Sequence, residues 1–257
     1  ADRTSPTNIG LALVSTQVAF NRGYITAGEL LERVWNTLKS MEKLERYEGH
    51  FYNWYHTKVG TVLDPRYIST VDSGNLAAGL ISVRESLRAT LNTPGLYNNV
   101  WNGLADTVDA VKEIMLQNCP EEWFSRESRS RYRLLCDSML VKLRKKRSES
   151  LEKDLKFLEE LKQEAAALSS LDLLPLKSTL PDSTIQDLLF WQNRPLERIE
   201  AVISEMESLS GLNRDELENR SLKELFDLPD DGRGKSTAPA ILHRWNYYAQ
   251  EIMELLA

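Results

Sequence analysis

The stretch Thr26-Ala27-Gly28-Glu29-Leu30-Leu31-Glu32-Arg33-Val34-Trp35-Asn36-Thr37-Leu38-Lys39-Ser40-Met41 decides the fold class. Thr26 followed three residues later by Glu29 has the form of a capping box, in which each side chain satisfies a backbone N–H at the start of a helix. The apolar residues Leu30, Leu31, Val34, Trp35, Leu38 and Met41 then recur at i, i+4 and i+7, which lines one face of that helix and turns it to a core. The same period returns from end to end of the chain, and no strongly alternating run interrupts it. An all-α protein of about eight or nine helices is predicted.

Before this stretch, Thr7 or Asn8 is placed to cap a first helix running to about Arg22, and Gly23 supplies its stop. After it, helical spacing resumes from about Ser73 to Leu91, until Thr93-Pro94-Gly95 breaks it. Trp101, Leu104, Val108, Val111 and Met115 mark the next helix. The longest helical signal runs from about Arg129 to Leu168, with Leu134, Leu135, Met139 and Leu143 early and Leu151, Leu155, Leu158, Leu161, Ala165 and Leu168 late. Its middle carries the basic run Lys142 to Arg147. That run reads as a solvated face with Glu–Lys pairs at helical spacing, in preference to a contact for an acidic partner or a lipid surface. Leu171 to Asp182, with Pro175 and Pro181, reads as a linker, and Pro195 as a first-turn or kink residue of the helix that continues to about Leu209. One or two short helices are expected over Asn213 to Phe226, and a loop over Pro229 to Gly234. A last helix starts at about Pro239, with Ile241, Trp245, Tyr248, Ile252 and Leu255 on it. Two parts are expected: residues 1–95, with an aromatic loop, and residues 96–257, a bundle with a long charged helix.

Composition narrows the functional classes. The 257 residues are 42% hydrophobic and 27% charged, enough apolar material for a substantial core. With 32 basic against 38 acidic residues the net charge is -6, so a phosphate backbone finds no cationic surface in bulk and nucleic acid is not an expected partner. No apolar run reaches the ~20 residues that cross a bilayer, and the first residues lack the pattern of a signal peptide. Cys119 and Cys136 have neither ligand nor redox spacing and read as structural free thiols. His50, His56 and His243 lack the spacing and carboxylate companions of a zinc site, so no metal is expected, and no cofactor either. Gly234-Lys235-Ser236 resembles the tail of a phosphate loop, but Pro229 stands where its first glycine belongs. Asn219-Arg220-Ser221 fits a glycosylation acceptor by a pattern short enough to arise by chance.

Between Tyr47 and Ser73 the period is lost, and Gly49, Gly60 and Pro65 punctuate a run rich in aromatics. Flat rings such as Tyr52, Trp54 and Tyr55 can lie on the C–H face of a sugar while the Asn, Asp, Arg and His side chains of the passage, Arg66 and Asp72 among them, bond its hydroxyls, which suits a carbohydrate cleft. The same rings also suit core anchors with satisfied polar tips, and Asp72 suits a helix N-cap.

Three blocks in this region carry a wider resemblance: Arg3-Thr4-Ser5-Pro6-Thr7-Asn8-Ile9-Gly10, Gly49-His50-Phe51-Tyr52-Asn53-Trp54-Tyr55, and Pro65-Arg66-Tyr67-Ile68-Ser69-Thr70-Val71-Asp72-Ser73-Gly74-Asn75-Leu76. In order and separation they resemble the cyclic β-1,2-glucan synthase family at the start of its glucoamylase-like region. Members are very large, membrane-associated, multidomain proteins that polymerise glucose from UDP-glucose, close the chain by transglycosylation and trim it through a phosphorylase-like domain. The resemblance implies that this chain is a fragment, a helical bundle or an incomplete α/α barrel that opens the glucan-handling domain. It implies glucan contacts through Tyr52, Trp54, Tyr55, Arg66 and Asp72, without turnover by the fragment itself. The alternative within the same parent is a non-catalytic interdomain scaffold. Glycosidic chemistry needs two facing carboxyl groups. The matched blocks offer only Asp72 prominently, so the catalytic pair is expected beyond Ala257. His56 stands where the family has Asp, which leaves that position without an assigned role. The partners implied are β-1,2-glucan, the remaining domains of the parent, and a second copy meeting an exposed apolar surface. The place implied is a soluble segment on the cytoplasmic side of the inner membrane.

Overall fold

The computed structural model describes residues 2–117, 125–146, 150–170, 182–212, 214–228 and 239–257. The fold is all-α, with ten helices among the described residues and four strands of two residues each. It divides into two compact units. One holds residues 1–21, 27–96 and 219–257, and the other holds residues 22–26 and 97–218.

The first unit is built on α1 (Pro6–Asn21), α2 (Ala27–Glu42) and α3 (Thr70–Asn92). Ser5, not Thr7 or Asn8, caps α1. Its hydroxyl accepts from the Asn8 N–H at 3.3 Å, and Pro6 occupies the first helical position, where a missing N–H costs nothing. Likewise Ser69 caps α3, accepting from the Asp72 N–H at 3.1 Å, so Asp72 sits in the first turn rather than at the cap. Where α1 crosses α3, a Cβ on Gly79 would lie 3.0 Å from the Gly10 Cα. The two backbones meet with no side chain between them, and this brings the N-terminal ends of both helices together.

Two further helices complete this unit, α9 (Leu222–Phe226) and α10 (Ala240–Leu255). A capping box formed by Ser221 and Glu224 opens α9, and α10 lies on α2 and α9. Leu13, Leu30, Leu31, Val34, Val83, Leu87, Leu225 and Trp245 are buried at the centre. Each such side chain contributes about 1.5–3 kcal/mol by leaving water.

The second unit is a four-helix bundle of α4 (Val100–Gln117), α5 (Arg126–Lys145), α6 (Leu151–Ser169) and α7 (Asp182–Ser208), with the short α8 (Arg214–Asn219) after it. Each of α4 to α7 touches the next, and α7 closes back on α4. The expected continuous helix from Arg129 to Leu168 is thus two helices. Ser150 caps the second, accepting from the Lys153 N–H at 3.3 Å, and the fold-back lets both apolar stripes face one core. The cations at the end of α5 reach other helices instead of pairing along their own. Lys142 meets Glu164 at 2.5 Å, Arg144 meets Asp109 at 3.1 Å, and Lys146 meets the buried Asp154 at 2.7 Å while lying 4.9 Å from the Phe157 ring. Pro195 lies well inside α7, past its first turn. The buried Gln192 donates to the Leu168 carbonyl at 2.8 Å and so satisfies the end of α6.

Cys119, Arg147, the linker through Pro175 and Pro181, Asn213, and the stretch from Pro229 to Ser236 lie outside the described residues. No helix among the described residues is long and apolar enough to cross a membrane.

Candidate functional site

The aromatic passage of the first unit folds as a small ordered layer over the joined ends of α1 and α3. β2 (Arg46–Tyr47) and β3 (His50–Phe51) form a hairpin with Tyr47 opposite His50. Its two turn residues, Glu48 and Gly49, have φ of 47° and 86°. That pair of left-handed residues matches the right-handed twist of the strands, and glycine takes the second position without strain. The Arg46 guanidinium lies 4.3 Å over the Phe51 ring and braces the hairpin. β1 (Arg3–Thr4) pairs antiparallel with β4 (Tyr55–His56), which ties the passage to the start of α1.

Beneath the surface, the Tyr55 side chain has no exposure. Its hydroxyl donates to the Glu45 carbonyl at 2.7 Å and accepts from the Tyr52 N–H at 2.8 Å, and burial pushes its pKa above the usual phenol range. Asn53 is also buried. Only one orientation of its amide satisfies both ends: the nitrogen donates to Asp72 Oδ2 at 2.9 Å, while the oxygen accepts from Trp54 Nε1 at 2.7 Å and from the Tyr67 hydroxyl at 2.5 Å. Asp72 also receives hydrogen bonds from Ser69, then Thr7 and Ser5, and these hold its carboxyl below the usual carboxylate range. One carboxylate therefore joins α1, α3 and the loop. Trp54 is half-buried under the Arg3 guanidinium, 4.4 Å from its ring.

Above this network lies an open cleft of about 460 Å³, lined by Glu45, Tyr47, Tyr52, Arg66, Tyr67 and Ile68. The Arg66 guanidinium stacks 4.9 Å from the Tyr52 ring and pairs with the Glu45 carboxylate. Tyr47 and Tyr67 are 54% and 45% exposed, so two ring faces remain free for a ligand. Of the five residues expected from the sequence, Tyr52 and Arg66 line the cleft. Trp54, Tyr55 and Asp72 stand behind it, fixing Tyr52 and Tyr67 through the backbone and Asn53. Sequence reasoning did not assign Glu45, Tyr47 or Tyr67 to the site. The Glu48-Gly49 turn was the available signal, because a two-residue hairpin there sets Tyr47 across from His50.

Three tyrosine rings and one guanidinium can hold a sugar by its C–H face and its hydroxyls. They do not assemble glycosidic chemistry, since Glu45 is the single carboxylate lining the cleft and is already engaged by Arg66. His56 Nδ1 accepts from the Lys58 N–H at 3.2 Å within its own turn. No group of three or more potential metal ligands occurs among the described residues.

No family model matches the chain. Over 116 residues, 45% of its length, it is 38% identical to the cyclic beta-(1,2)-glucan synthase NdvB of Rhizobium meliloti (strain 1021), and that match spans 4% of the synthase. The identity supports a relationship to one segment of that much larger protein.

Proposed function

We propose that the chain serves as a helical segment of a cyclic β-1,2-glucan synthase-like enzyme, and that its loop cleft forms one wall of a glucan groove in the transglycosylating, glucoamylase-like region. The observation that carries this reading is the pairing of free tyrosine faces at Tyr47 and Tyr67 with the Tyr52–Arg66 stack in one open cleft. Tyr52 and Arg66 touch the glucan; Trp54, Tyr55 and Asp72 act through them by holding the cleft in shape. The reacting carboxyl groups belong to other parts of the parent, whose place is the cytoplasmic side of the inner membrane.

A second reading has its own support. Leu11 and Val18 on α1 are 60% and 50% exposed, and Ile81 on α3 is 55% exposed. Exposed apolar side chains that form a patch mark a contact face. In this reading the segment is an interdomain scaffold, and the rest of the parent, or a second copy, covers that face. Calorimetric titration with β-1,2-linked glucose oligomers separates the two. Saturable heat that disappears in Tyr52→Ala supports the groove, whereas a folded chain that gives no heat supports the scaffold. Reproducible release of glucose or short oligomers by the chain alone would contradict both.

A further inference from the structure

The aromatic loop is held along one edge by residues 2–4. β4 is flanked on both sides: β1 lies along one edge, and along the other Tyr55 bridges to Val62 and the His56 N–H donates to the Thr61 carbonyl at 2.8 Å. β1 is only two residues long, extended by one further bond in which the Thr57 N–H donates to the Asp2 carbonyl at 3.0 Å. Asp2 and Arg3 are exposed and Thr4 is half-buried, so this outer strand sits at the low end of local stability. A hairpin of two segments is marginal in water without a further strand, and β1 supplies it.

Two routes lead from β1 to the rings of the cleft. In the first, Thr4 pairs with Tyr55, and the Tyr55 hydroxyl accepts from the Tyr52 N–H at 2.8 Å, so the strand that fixes Tyr55 also fixes the backbone of Tyr52. In the second, the Arg3 guanidinium covers the Trp54 ring at 4.4 Å, while Trp54 Nε1 donates to the Asn53 amide oxygen at 2.7 Å. That same oxygen accepts from the Tyr67 hydroxyl. Tyr52 and Tyr67 both line the cleft, whereas Arg3 and Thr4 do not. Two adjacent residues outside the site thus end, by separate contacts, on two of its rings.

We propose that β1 is a strap that sets the shape of the loop cleft. Paired with β4 it holds Tyr52 and Tyr67 in the binding geometry, and detached it lets both rings drift, so the cleft is regulated from residues 2–4. Arg3 and Thr4 are positioning residues that act through Trp54 and Tyr55. That a glucan occupies the cleft rests on the reading of the loop cleft, while control of its shape by β1 rests on these contacts alone. A ligand that needs the shaped cleft binds more weakly in proportion to the fraction of molecules whose strap is detached.

The test is an NMR study of the whole chain with Thr4→Pro as the main variant. In an antiparallel ladder hydrogen-bonded pairs alternate, so the Asp2–Thr57 bond makes Thr4 and Tyr55 the next bonded pair. Proline removes the Thr4 donor and leaves the Ser5 cap of α1 in place. The ring signals of Tyr52 and Tyr67 and the Trp54 indole signal are expected to shift, while the amides of α10 stay. The midpoint of a titration with a linear β-1,2-linked glucose tetramer is expected to rise about fivefold to tenfold. Arg3→Ala should raise it about twofold to fivefold, the loss of one exposed cation–π contact, and Arg3→Lys should keep it within about 1.5-fold. Tyrosine rings that stay still in Thr4→Pro, or an unchanged midpoint, overturn the strap and leave the loop cleft standing. If the parent chain does not respond to the tetramer, the glucan reading fails and the ring signals alone decide the strap: movement in Thr4→Pro sustains it and stillness overturns it. Should Thr4→Pro unfold the first unit, seen as loss of the α10 amides, Arg3→Ala decides by the same signals.

Discussion

Replacing Asp72 by alanine tests whether one carboxylate holds the aromatic loop to the helix ends. The change leaves the buried Asn53 amide nitrogen without its 2.9 Å partner and removes the acceptor for Ser69, Thr7 and Ser5. An orphaned buried donor costs about 1–3 kcal/mol, and hydrogen bonds to a charged group contribute about 1.5–3 kcal/mol each. Because Asp72 keeps some exposure, water replaces part of these bonds in the variant, and we expect well under their sum, about 2–3 kcal/mol. In urea that corresponds to a loss of about 1 M in the midpoint of the transition of the first unit. The Trp54 indole N–H gives a local readout, because it donates to the same Asn53 and should exchange with solvent faster in the variant.

Acid gives a second readout of the same carboxylate. The carboxyl is held below its ordinary value in the folded state, so its stabilisation is complete above about pH 4, the unfolded value, and fades as pH falls through the lowered folded value. Asp72→Ala should therefore flatten the acid limb of the stability curve below about pH 4. A midpoint within about 0.2 M of the parent chain, with an unchanged acid limb, would refute the anchoring role.

Four further outcomes follow from the packing. Gly79→Val should destabilise the first unit by about 1–3 kcal/mol in urea, because its new side chain meets the Gly10 backbone. Gly74→Ala on the same helix, with nothing within 4 Å of the added Cβ, should instead stabilise by about 0.5–1 kcal/mol. Cys136 is fully buried and its thiol is pushed up to about 12, so site-resolved mass spectrometry should find it unalkylated by iodoacetamide at pH 8 until the chain unfolds. Ser221→Ala removes the capping box of α9 and should cost about 1 kcal/mol, read as a lowered unfolding midpoint.

The helices were legible because burial writes itself into period. In α2 the apolar positions Leu30, Leu31, Val34, Leu38 and Met41 are all buried, and Gly23 marks the end of α1 with a φ of 74°. Caps were less legible, since Ser5 and Ser69 compete with neighbouring Thr7, Asn8 and Asp72 that carry equally good side chains. The break between α5 and α6 was hidden because both stripes continue one helical phase, and only the return of the chain to a shared core chooses the turn at Ser150. The return of α9 and α10 to the first unit leaves no local signal at all, because it is a long-range contact. In the candidate site, aromatic composition pointed to the loop that lines the cleft, but the depth of each ring depends on strand pairing. The fold gives Tyr55 to the core and Tyr47 to the surface, although both are tyrosines in one short passage.

The most direct measurement is a crystal structure of the chain soaked with a β-1,2-linked glucose oligomer. The expected result is a glucose ring lying flat on the exposed tyrosines beside Tyr52, with Arg66 at its hydroxyls. Crystals that show the oligomer bound elsewhere while this cleft holds only solvent would contradict it.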